Sequence, residues 1–455
     1  MHASHHFPSQ TVPGAATTTV RTSELLGALS TALDLTEGLL AGHSARTCWL
    51  AMRLAASIGL DDGERESLFY AALLKDAGCS SNAAALTSIF GGDERALKRM
   101  QATAGRSLLA SAVLSVRALG SSEPLPARVR RFVHLAAAGG AERRAIEHTR
   151  CERGAQIALN AGFPAAVSTA VMSVHEHWDG RGQPVGLAGA AIPVFSRIIA
   201  LCAALDVYVS TRGRRRALRT IQSRRGTWYD PDLTDELLSL AADGLVHELA
   251  GGDVESRIGE MEPDGLIRIS DDADVDRIAM AFAEVIDAKS PYTASHSRGV
   301  AQIAGRLAER FGMTAADARD VRRAGLLHDI GKLGIPNLIL DKPGRLTADE
   351  YLQVREHPEL SLRILEPVAI FGRVAEMAAC HHERLDGTGY YRGFNAESLG
   401  LGARIVAVAD VYEALTADRP YRTAWSPERA MQVMRQTAGE HLAADVVEAI
   451  PDVVA

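Results

Sequence analysis

One phrase occurs twice in the sequence, and the difference between its two versions decides how the chain is organised. Residues 326–344 read LLHDIGKLGIPNLILDKPG, and residues 73–88 read LLKDAGCSSNAAALTS. Both versions begin with Leu-Leu-X-Asp-X-Gly, but Lys75 stands in the earlier one where His328 stands in the later one. A neutral imidazole offers a lone pair to a metal ion, whereas a lysine ammonium offers only N–H donors. The two versions are therefore expected to serve different purposes.

The similarity extends beyond this phrase, as is typical of an internal repeat. Three further blocks occur in the same order in both halves, namely residues 42–60 and 295–313, residues 175–187 and 382–394, and residues 196–208 and 403–412. The spacing agrees as well, because His43 precedes Lys75 by as many residues as His296 precedes His328. We infer that the chain contains two copies of one unit, called here the first copy and the second copy.

Both copies have the apolar pattern of helices. One period of 3.6 residues in the second copy is formed by Val275, Ile278, Ala279, Phe282, Val285 and Ile286. Another series runs from Val300 to Phe311 and stops at Gly312, which predicts a helix end. Thr347 and Glu350 have the spacing of a capping box. Alternating strand patterns are scarce, so the sequence predicts an all-α fold with two tandem helical domains.

The domain boundaries follow from composition. We expect a flexible tail over residues 1–20, a first helical domain over 21–250, a linker over 251–273 and a second helical domain over 274–455. The linker is placed where the sequence between the copies becomes acidic and rich in glycine. At 455 residues, the chain is long enough for each domain to have its own core.

Composition also restricts the partners. The net charge is −7, with 47% hydrophobic and 23% charged residues, so neither nucleic acid nor an anionic membrane is expected as a partner. The arginine-rich residues 211–226 are interpreted as a solvated helix face, because no aromatic residues are interspersed. The five cysteines form no C-x-x-C pair, and no uncharged apolar run of about 20 residues is present. These features predict a cytoplasmic protein without a membrane span.

Seven side chains of the second copy form a set of potential metal ligands. They are His296, His328, Asp329, His357, His381, His382 and Asp410. Val321, Ala324 and Leu327 precede His328 at helical spacing, so the same helix face is expected to carry it inward. Neutral imidazoles with a few carboxylates suit divalent ions such as Fe, Mn, Co, Ni or Zn. Seven ligands are too many for one tetrahedral ion, and they fit a pair of ions that share Asp329.

The motifs around these residues resemble those of a known family. His328-Asp329-Ile-Gly-Lys332, HHERLDGTGYY at 381–391 and ADVYEALTADRPYR at 409–422 are similar to motifs of the HD-GYP metal-dependent phosphohydrolases. The resemblance covers residues 275–440. It implies a helical fold, hydrolysis of the bacterial messenger cyclic di-GMP to pGpG, and in some members hydrolysis onward to GMP. It also implies that the seven residues bind two divalent transition-metal ions, with Fe or Mn favoured.

Two departures from the family pattern affect these expectations. Members that bind a third metal carry a glutamate four residues before the first histidine, where this chain has Tyr292, so we expect two ions. The Gly-Tyr-Pro of the family is Gly389-Tyr390-Tyr391 here. Proline would fix φ near −65°, so its loss predicts a less rigid loop without the loss of a ligand.

The resemblance assigns further roles. Asp329 is a catalytic candidate as the shared metal ligand, and the metal pair would lower the pKa of a water molecule towards about 7. Lys332 is expected to neutralise charge on the phosphoryl oxygens, with a solvated helix-end lysine as the alternative. Arg419 and Arg422 are candidates for binding substrate phosphates, or alternatively for ion pairs with Asp418 or a nearby glutamate. The remaining substrate-binding candidates lie in one loop and are Asp386, Gly387, Gly389 and Tyr390.

The first copy keeps only part of the ligand set. His43, Asp76 and His175 are retained, whereas Lys75, Arg150 and Val174 replace three histidines and Cys79 replaces the lysine. The counterpart of Asp410 is either Ala203 or Asp206. Because buried cations repel a divalent ion, the first copy is expected to be metal-free, with its cations paired to Asp76. We expect it to be structural or regulatory, acting on the second copy, on another copy of the chain or on a signalling protein.

Two other functions are compatible with these residues. The chain could be a cyclic di-GMP receptor or signalling scaffold with little turnover, which the altered first copy and Tyr391 favour. The complete ligand set argues against this reading. The chain could instead hydrolyse another nucleotide, but the segments DGTGYY at 386–391 and ADRPYR at 417–422 would have no role in such an enzyme.

Overall fold

The computed structural model describes residues 19–96, 98, 125–251, 254, 257–263, 267–291, 295–418 and 422–454. The described helices of the first copy are α1 (Thr22–Glu37), α2 (His43–Ser57), α3 (Asp62–Leu74), α4 (Ala83–Phe90), α5 (Leu125–Asn160), α6 (Ala165–Met172), α7 (Val194–Arg212), α8 (Arg214–Ser223), α9 (Pro231–Ala242) and α10 (Leu245–Gly251). Those of the second copy are α11 (Asp272–Asp287), α12 (His296–Arg310), α13 (Ala315–Leu327), α14 (Asn337–Leu340), α15 (Ala348–Arg355), α16 (His357–Leu365), α17 (Gly372–Ala379), α18 (Leu401–Thr416), α19 (Pro427–Thr437) and α20 (Ala444–Val454). Short 3₁₀ segments lie at Cys79–Asn82, Gly189–Ala191, Ile258–Glu260, Ile330–Gly334 and Ala369–Phe371. The predicted all-α fold is confirmed.

The helices form where the apolar pattern predicted them. All six periodic residues of α11 are buried, and its N-terminus is closed by a capping box between Asp271 and Asp274. Helix α12 ends at Arg310, and Gly312 follows with φ of 70°, in the left-handed region that favours glycine. The predicted capping box of Thr347 and Glu350 opens α15. Local sequence signals therefore set the ends of these helices.

The two copies pack against each other through a shared apolar core. Helix α1 of the first copy contacts the 3₁₀ segment Ile330–Gly334 of the second copy, and α5 contacts α11. Residues 20–21 pair as an antiparallel strand with residues 269–270, which is the only sheet within the described ranges. Residues 1–18 of the predicted flexible tail lie outside the described residues. The predicted domain boundaries stay a prediction.

Helix α7 is long and apolar enough by composition to cross a membrane, alone among the helices that the structure describes. It is a core helix of the first copy, because it packs against α2 and α8 and half of its most apolar window is buried. Central helices of globular domains commonly have such a composition. The basic helix α8 exposes Arg215, Arg216 and Arg219, as expected for a solvated face.

Candidate metal centre

Five elements of the second copy bring the seven potential ligands together. His296 is the first residue of α12, His328 is the C-cap of α13, His357 is the first residue of α16, His381 and His382 follow α17, and Asp410 lies in α18. Asp329 follows His328 and precedes the 3₁₀ segment Ile330–Gly334. Six of these residues are buried, and His382 is partly buried. The ligands come from widely separated parts of the chain, so only the fold assembles them.

Asp329 lies at the centre of the cluster, between two pairs of histidines. Its Oδ2 atom is 3.7 Å from Nε2 of His296 and 3.3 Å from Nε2 of His328. Its Oδ1 atom is 3.3 Å from Nε2 of His357 and 3.7 Å from Nε2 of His381. A carboxylate whose two oxygens face two different ligand sets has the arrangement of a bridging ligand between two cations.

Asp410 and His382 complete the two sets on opposite sides of Asp329. Oδ1 of Asp410 is 3.3 Å from Nε2 of His296 and 3.8 Å from Nε2 of His328. His382 belongs to the other set, because one ligand atom from each of His357, His381 and His382 lies within 4.8 Å of the other two. Each side thus offers three protein ligands besides the shared carboxylate.

The histidines are oriented by hydrogen bonds at their other ring nitrogens. Nδ1 of His328 donates to the carbonyl of Gly325 at 2.8 Å, and Nδ1 of His357 donates to the carbonyl of Val354 at 2.6 Å. His381 does the same to the backbone carbonyl three residues earlier. A carbonyl oxygen can only accept, so Nδ1 carries the proton and Nε2 presents a lone pair to the cluster. This fixed tautomer is the one that metal-binding histidines use.

Two buried atoms at the centre have no hydrogen-bond partner among the described residues. They are Nε2 of His328 and Oδ1 of Asp329. Burying a polar atom without a partner costs about 1–3 kcal/mol, so such atoms are rare in a folded interior. Both atoms point into the cluster and both are of a type that binds divalent ions. The residues present therefore fit a metal centre.

The protonation states of Asp329 and of three of the histidines favour metal binding, whereas at His296 the neighbouring carboxylates outweigh burial and raise the pKa to about 9. Burial alone would raise the pKa of Asp329, but His328 and Lys332 hold it well below its usual range. Burial lowers the pKa of His382 to about 3 and that of His381 well below its usual range. Burial likewise lowers the pKa of His357. Charged carboxylate and neutral imidazoles are the forms that coordinate metals.

Lys332 and Tyr390 border the cluster on its accessible side. The Lys332 ammonium pairs with Oδ2 of Asp329, and its side chain is 25% exposed. The Tyr390 ring stacks on His382, with 4.4 Å between ring centroids. Both side chains contact the ligand set and are partly exposed to solvent.

The loop at 386–391 is shaped by residues that the sequence analysis did not single out. The buried Glu383 carboxylate accepts from the N–H groups of Tyr391 and Arg392, at 3.2 and 3.1 Å. Arg355 donates to the carbonyls of Gly389 and Tyr390. Gly389 is required because a Cβ there would lie 2.5 Å from Cα of Glu383. Interactions with Glu383 and Arg355 thus hold the loop that lacks the family's proline.

Three of the predicted substrate-binding residues have structural contacts of their own. Asp386 accepts from the Thr388 N–H at 2.9 Å and approaches His441. Gly387 has φ of 77° and serves the same turn. Arg422 donates to the carbonyls of Ala414 and Leu415 at the end of α18, and its role in binding substrate phosphate stays a prediction. Arg419 and Tyr292 lie outside the described residues.

Glu413 is a positioning residue that the sequence analysis missed. Its carboxylate accepts from Nδ1 of His296, which directs Nε2 of His296 towards Asp410. The signal in the sequence is the spacing, because residues three apart share one helix face and Glu413 follows Asp410 by three. A carboxylate behind a ligand histidine fixes the ring and raises its basicity.

We expect Glu413→Gln to weaken metal binding about 10- to 100-fold while the fold is retained, because an amide holds the imidazole less firmly than a carboxylate. Calorimetric titration of the metal-free protein with the metal ion measures the change in affinity. Glu309→Gln, an exposed carboxylate on α12, is the control. Equal metal affinity in the Glu413 and Glu309 variants would contradict the role of Glu413.

In the first copy, the same positions form an ion-pair network. Lys75 pairs with Asp76, and Arg150 lies 3.3 Å from Oδ1 of Asp76. Equivalent close contacts show that Arg150 occupies the position of His357. A Cβ at Gly78 would lie 1.9 Å from the carbonyl oxygen of Arg150, and a Cβ at Gly331 would lie 2.0 Å from that of His357. The cations thus stand where the second copy has ligand histidines, as the sequence analysis predicted.

A group of three metal-binding residue types also occurs in the first copy. One ligand atom from each of Glu37, Asp76 and Cys79 lies within 4.8 Å of the others. Burial raises the pKa of the Cys79 thiol well above its usual value, so the thiol keeps its proton. Glu37 pairs with Lys98 at 2.8 Å and with Arg150 at 3.5 Å. Protein cations therefore already neutralise these two carboxylates.

Alignment of the equivalent helices α7 and α18 identifies the counterpart of Asp410 in the first copy. Nε of Arg197 donates to the carbonyl five residues earlier, and Nε of Arg404 does the same. With these arginines aligned, Ala203 corresponds to Asp410 and Asp206 corresponds to Glu413. Accordingly, Asp206 accepts from Nδ1 of His43 at 2.7 Å, as Glu413 does from His296. The first copy has kept the carboxylate behind the histidine and lost the ligand.

We expect Asp76→Asn to destabilise the protein by about 3–5 kcal/mol, because it leaves the buried Lys75 and Arg150 charges with a weaker partner. Thermal or urea unfolding of the full chain measures the loss. Asp62→Asn, whose carboxylate is 61% exposed and pairs with Arg65, should cost at most about 1 kcal/mol. Equal stability of the two variants would contradict the structural role of the network.

Comparison with known proteins identifies the family of the chain. The chain matches the HD domain family over residues 122–233 and 280–446, one segment in each copy. Together the two segments cover more than half of the chain. The chain therefore belongs to the HD domain family, whose members are metal-dependent.

Relatives place the chain more closely, among HD-GYP phosphodiesterases. It is 39% identical over 415 residues to 3′3′-cGAMP-specific phosphodiesterase 3 of Vibrio cholerae, covering 91% of this chain and 90% of the relative. It is 38% identical to a cyclic di-GMP phosphodiesterase of Thermotoga maritima, over 36% of this chain and 47% of the relative. The crystal structure of a cyclic GMP-AMP-specific phosphodiesterase of V. cholerae matches with a TM-score of 0.66 and 34% identity, covering 96% of this chain and 98% of that one.

Proposed function

We propose that the protein is a metal-dependent phosphodiesterase that hydrolyses a 3′3′-linked cyclic dinucleotide, with the second copy as its catalytic unit. The observation that carries the proposal is the position of Asp329, whose two oxygens face two separate sets of ligands. The relatives that share the fold act on cyclic dinucleotides. The first copy lacks the ligand set and is proposed to be structural or regulatory.

The residues would divide between two divalent ions that share Asp329. His296, His328 and Asp410 would hold one ion, and His357, His381 and His382 would hold the other. Bound in this way, a pair of divalent ions supplies hydroxide near neutral pH and offsets negative charge on a phosphoryl group. Fe or Mn is the metal expected from the family.

The remaining side chains would bind and orient the substrate. Lys332 can place its ammonium beside a non-bridging phosphoryl oxygen, where it would stabilise the charge that develops during attack. Tyr390, which is stacked on His382 and lies near the Tyr351 ring, offers an aromatic surface to a nucleobase. Hydrolysis adds water across one P–O3′ bond, so the linear product has a 5′-phosphate and a free 3′-hydroxyl. For cyclic di-GMP this product is pGpG, and a second hydrolysis would give GMP.

Two cyclic dinucleotides are candidate substrates. The relative that spans almost the whole chain, including the first copy, is specific for 3′3′-cGAMP. Relatives that act on cyclic di-GMP match about a third of the chain. We therefore propose 3′3′-cGAMP as the preferred substrate and cyclic di-GMP as the second candidate.

The substrate assignment is tested by direct turnover. Manganese-loaded and iron-loaded protein is incubated with 3′3′-cGAMP, cyclic di-GMP and 3′,5′-cyclic AMP, and the products are separated by chromatography. We expect a linear dinucleotide from 3′3′-cGAMP at the highest kcat/KM and no product from cyclic AMP. Binding of a cyclic dinucleotide without product would favour a receptor. Turnover of cyclic AMP alone would favour a phosphodiesterase of another class.

A further inference from the structure

A buried carboxylate of the first copy lies against the scaffold of the metal centre in the second copy. Glu94 is only 1% exposed. Its oxygens accept from the N–H of Asn337, at 3.2 and 3.1 Å. Asn337 opens α14 just beyond the 3₁₀ segment Ile330–Gly334, which follows Asp329 directly and contains Lys332. A first-copy side chain thus contacts the residue just beyond the segment that contains Lys332 and directly follows Asp329.

Glu94 holds this segment through a second contact as well. Its Oε1 atom is 3.5 Å from Nζ of Lys289, which is also buried and donates to the carbonyl of Leu333 at 3.2 Å. Asn337 is fixed further, because its side-chain amide donates to the carbonyl of Lys289 at 2.6 Å. The carboxylate, the ammonium and the amide therefore form one buried network around the end of the 3₁₀ segment.

Neighbouring residues of the first copy reinforce the contact. Arg95 donates to the carbonyl of Gly334, the last residue of the 3₁₀ segment. Leu35 of α1 faces the same glycine, where a Cβ would lie 3.5 Å from its Cδ1. On the other side, Lys98 donates to Glu37 at 2.8 Å and to the carbonyl of Cys79 at 2.9 Å. The segment around Glu94 thus contacts Glu37 and Cys79 of the first copy on one side and the end of the 3₁₀ segment of the second copy on the other.

The energetics of burial indicate a specific role for Glu94. A carboxylate removed from water loses several kcal/mol of solvation unless hydrogen bonds and an opposite charge replace it. Here the replacement comes from the second copy, through the Asn337 N–H and Lys289, together with Thr87 of the first copy at 3.2 Å. An apolar residue could fill this position in the interface without any hydrogen-bond or charged partner, whereas a carboxylate requires them.

We propose that Glu94 is a positioning residue for the metal centre: it fixes Asn337 and Lys289, and through them the segment that places Asp329 and Lys332. Catalysis depends steeply on such placement, since a displacement of about 1 Å can cost about 100-fold in rate. The first copy is then an integral part of the active enzyme. The activity readout of this inference rests on the proposed function.

The test uses the full chain with Glu94→Ala and Glu94→Gln. We expect Glu94→Ala to lower kcat about tenfold or more with KM changed less than about twofold, because substrate-binding groups remain. Amide hydrogen exchange over residues 330–340 should become faster. Glu94→Gln should recover most of the kcat, because its side-chain oxygen still accepts from the Asn337 N–H.

Asp230→Ala is the matched control. Asp230 is also buried, accepts from the N–H groups of Asp232 and Leu233 at the start of α9, and pairs with Arg197, all within the first copy. It should lower the melting temperature without changing kcat or exchange over 330–340. Wild-type kcat and exchange in Glu94→Ala, or an equal loss of kcat in Asp230→Ala, would overturn the proposal. If the wild-type protein has no phosphodiesterase activity, the proposed function fails, and hydrogen exchange alone decides the role of Glu94.

Discussion

Asp329→Asn is expected to lower kcat at least about 1,000-fold and to release at least one of the two expected metal ions. The amide is nearly the same size but carries no charge, so it cannot neutralise and bridge two cations. Loss of the pair removes the source of hydroxide near pH 7 and the charge that stabilises the phosphoryl group, effects worth several kcal/mol. Steady-state kinetics with 3′3′-cGAMP and metal analysis of the purified variant measure the two losses independently.

The aligned residue of the first copy provides the control. Asp76→Asn makes the same chemical change at the corresponding position, where Lys75 and Arg150 surround the carboxylate. It should lower stability but leave kcat and metal content close to the wild-type values at a temperature well below unfolding. Retained activity in Asp329→Asn, or an equal loss of activity in Asp76→Asn, would be incompatible with a metal centre in the second copy.

His328→Lys is expected to reproduce in the second copy what the first copy already has. The new ammonium would lie beside Asp329, as that of Lys75 lies beside Asp76. The ammonium would form an ion pair with the Asp329 carboxylate and would repel a divalent ion in a poorly solvated interior. We expect loss of at least one ion and a fall in kcat of about 1,000-fold or more, with helical content retained. Circular dichroism, metal analysis and kinetics check these results.

The reciprocal change, Lys75→His, separates the effect of one residue from that of the whole set. Arg150 still lies beside Asp76, and Val174 still stands where a ligand histidine is needed. We therefore expect no additional metal and unchanged kcat. Tight binding of an additional metal ion by Lys75→His would show that Arg150 and Val174 do not prevent the first copy from binding metal.

Much of this arrangement could be predicted from the sequence because local signals are strong. The apolar period before His328 directs it inward, and the structure buries it completely. The order and spacing of the repeated blocks identify Lys75 and Arg150 as the replacements for ligand histidines. The structure places both of them at Asp76. Patterns of this kind can be read from the sequence because helix periodicity is a local property and because the repeated blocks keep their order and spacing.

Other features depend on contacts that no local pattern encodes. The sequence left two counterparts for Asp410, and the hydrogen bonds of Arg197 and Arg404, together with those of His43 and His296, distinguish them. The hydrogen bonds of Arg422 to carbonyls at the end of α18 were not foreseen, and its predicted contact with substrate phosphate stays a prediction. No local pattern identifies Glu94, because its partners lie far away in the chain. Long-range polar contacts of this kind require the tertiary structure.

The measurement that tests the account most directly is the metal content of the full chain. Protein reconstituted with manganese or iron, freed of loosely bound ions and analysed by mass spectrometry should contain two ions per chain, the number that a bridging carboxylate serves. That content should fall to one or none in Asp329→Asn and stay at two in Asp76→Asn. Full metal content in Asp329→Asn, or its loss in Asp76→Asn, would contradict the assignment of the centre to the second copy.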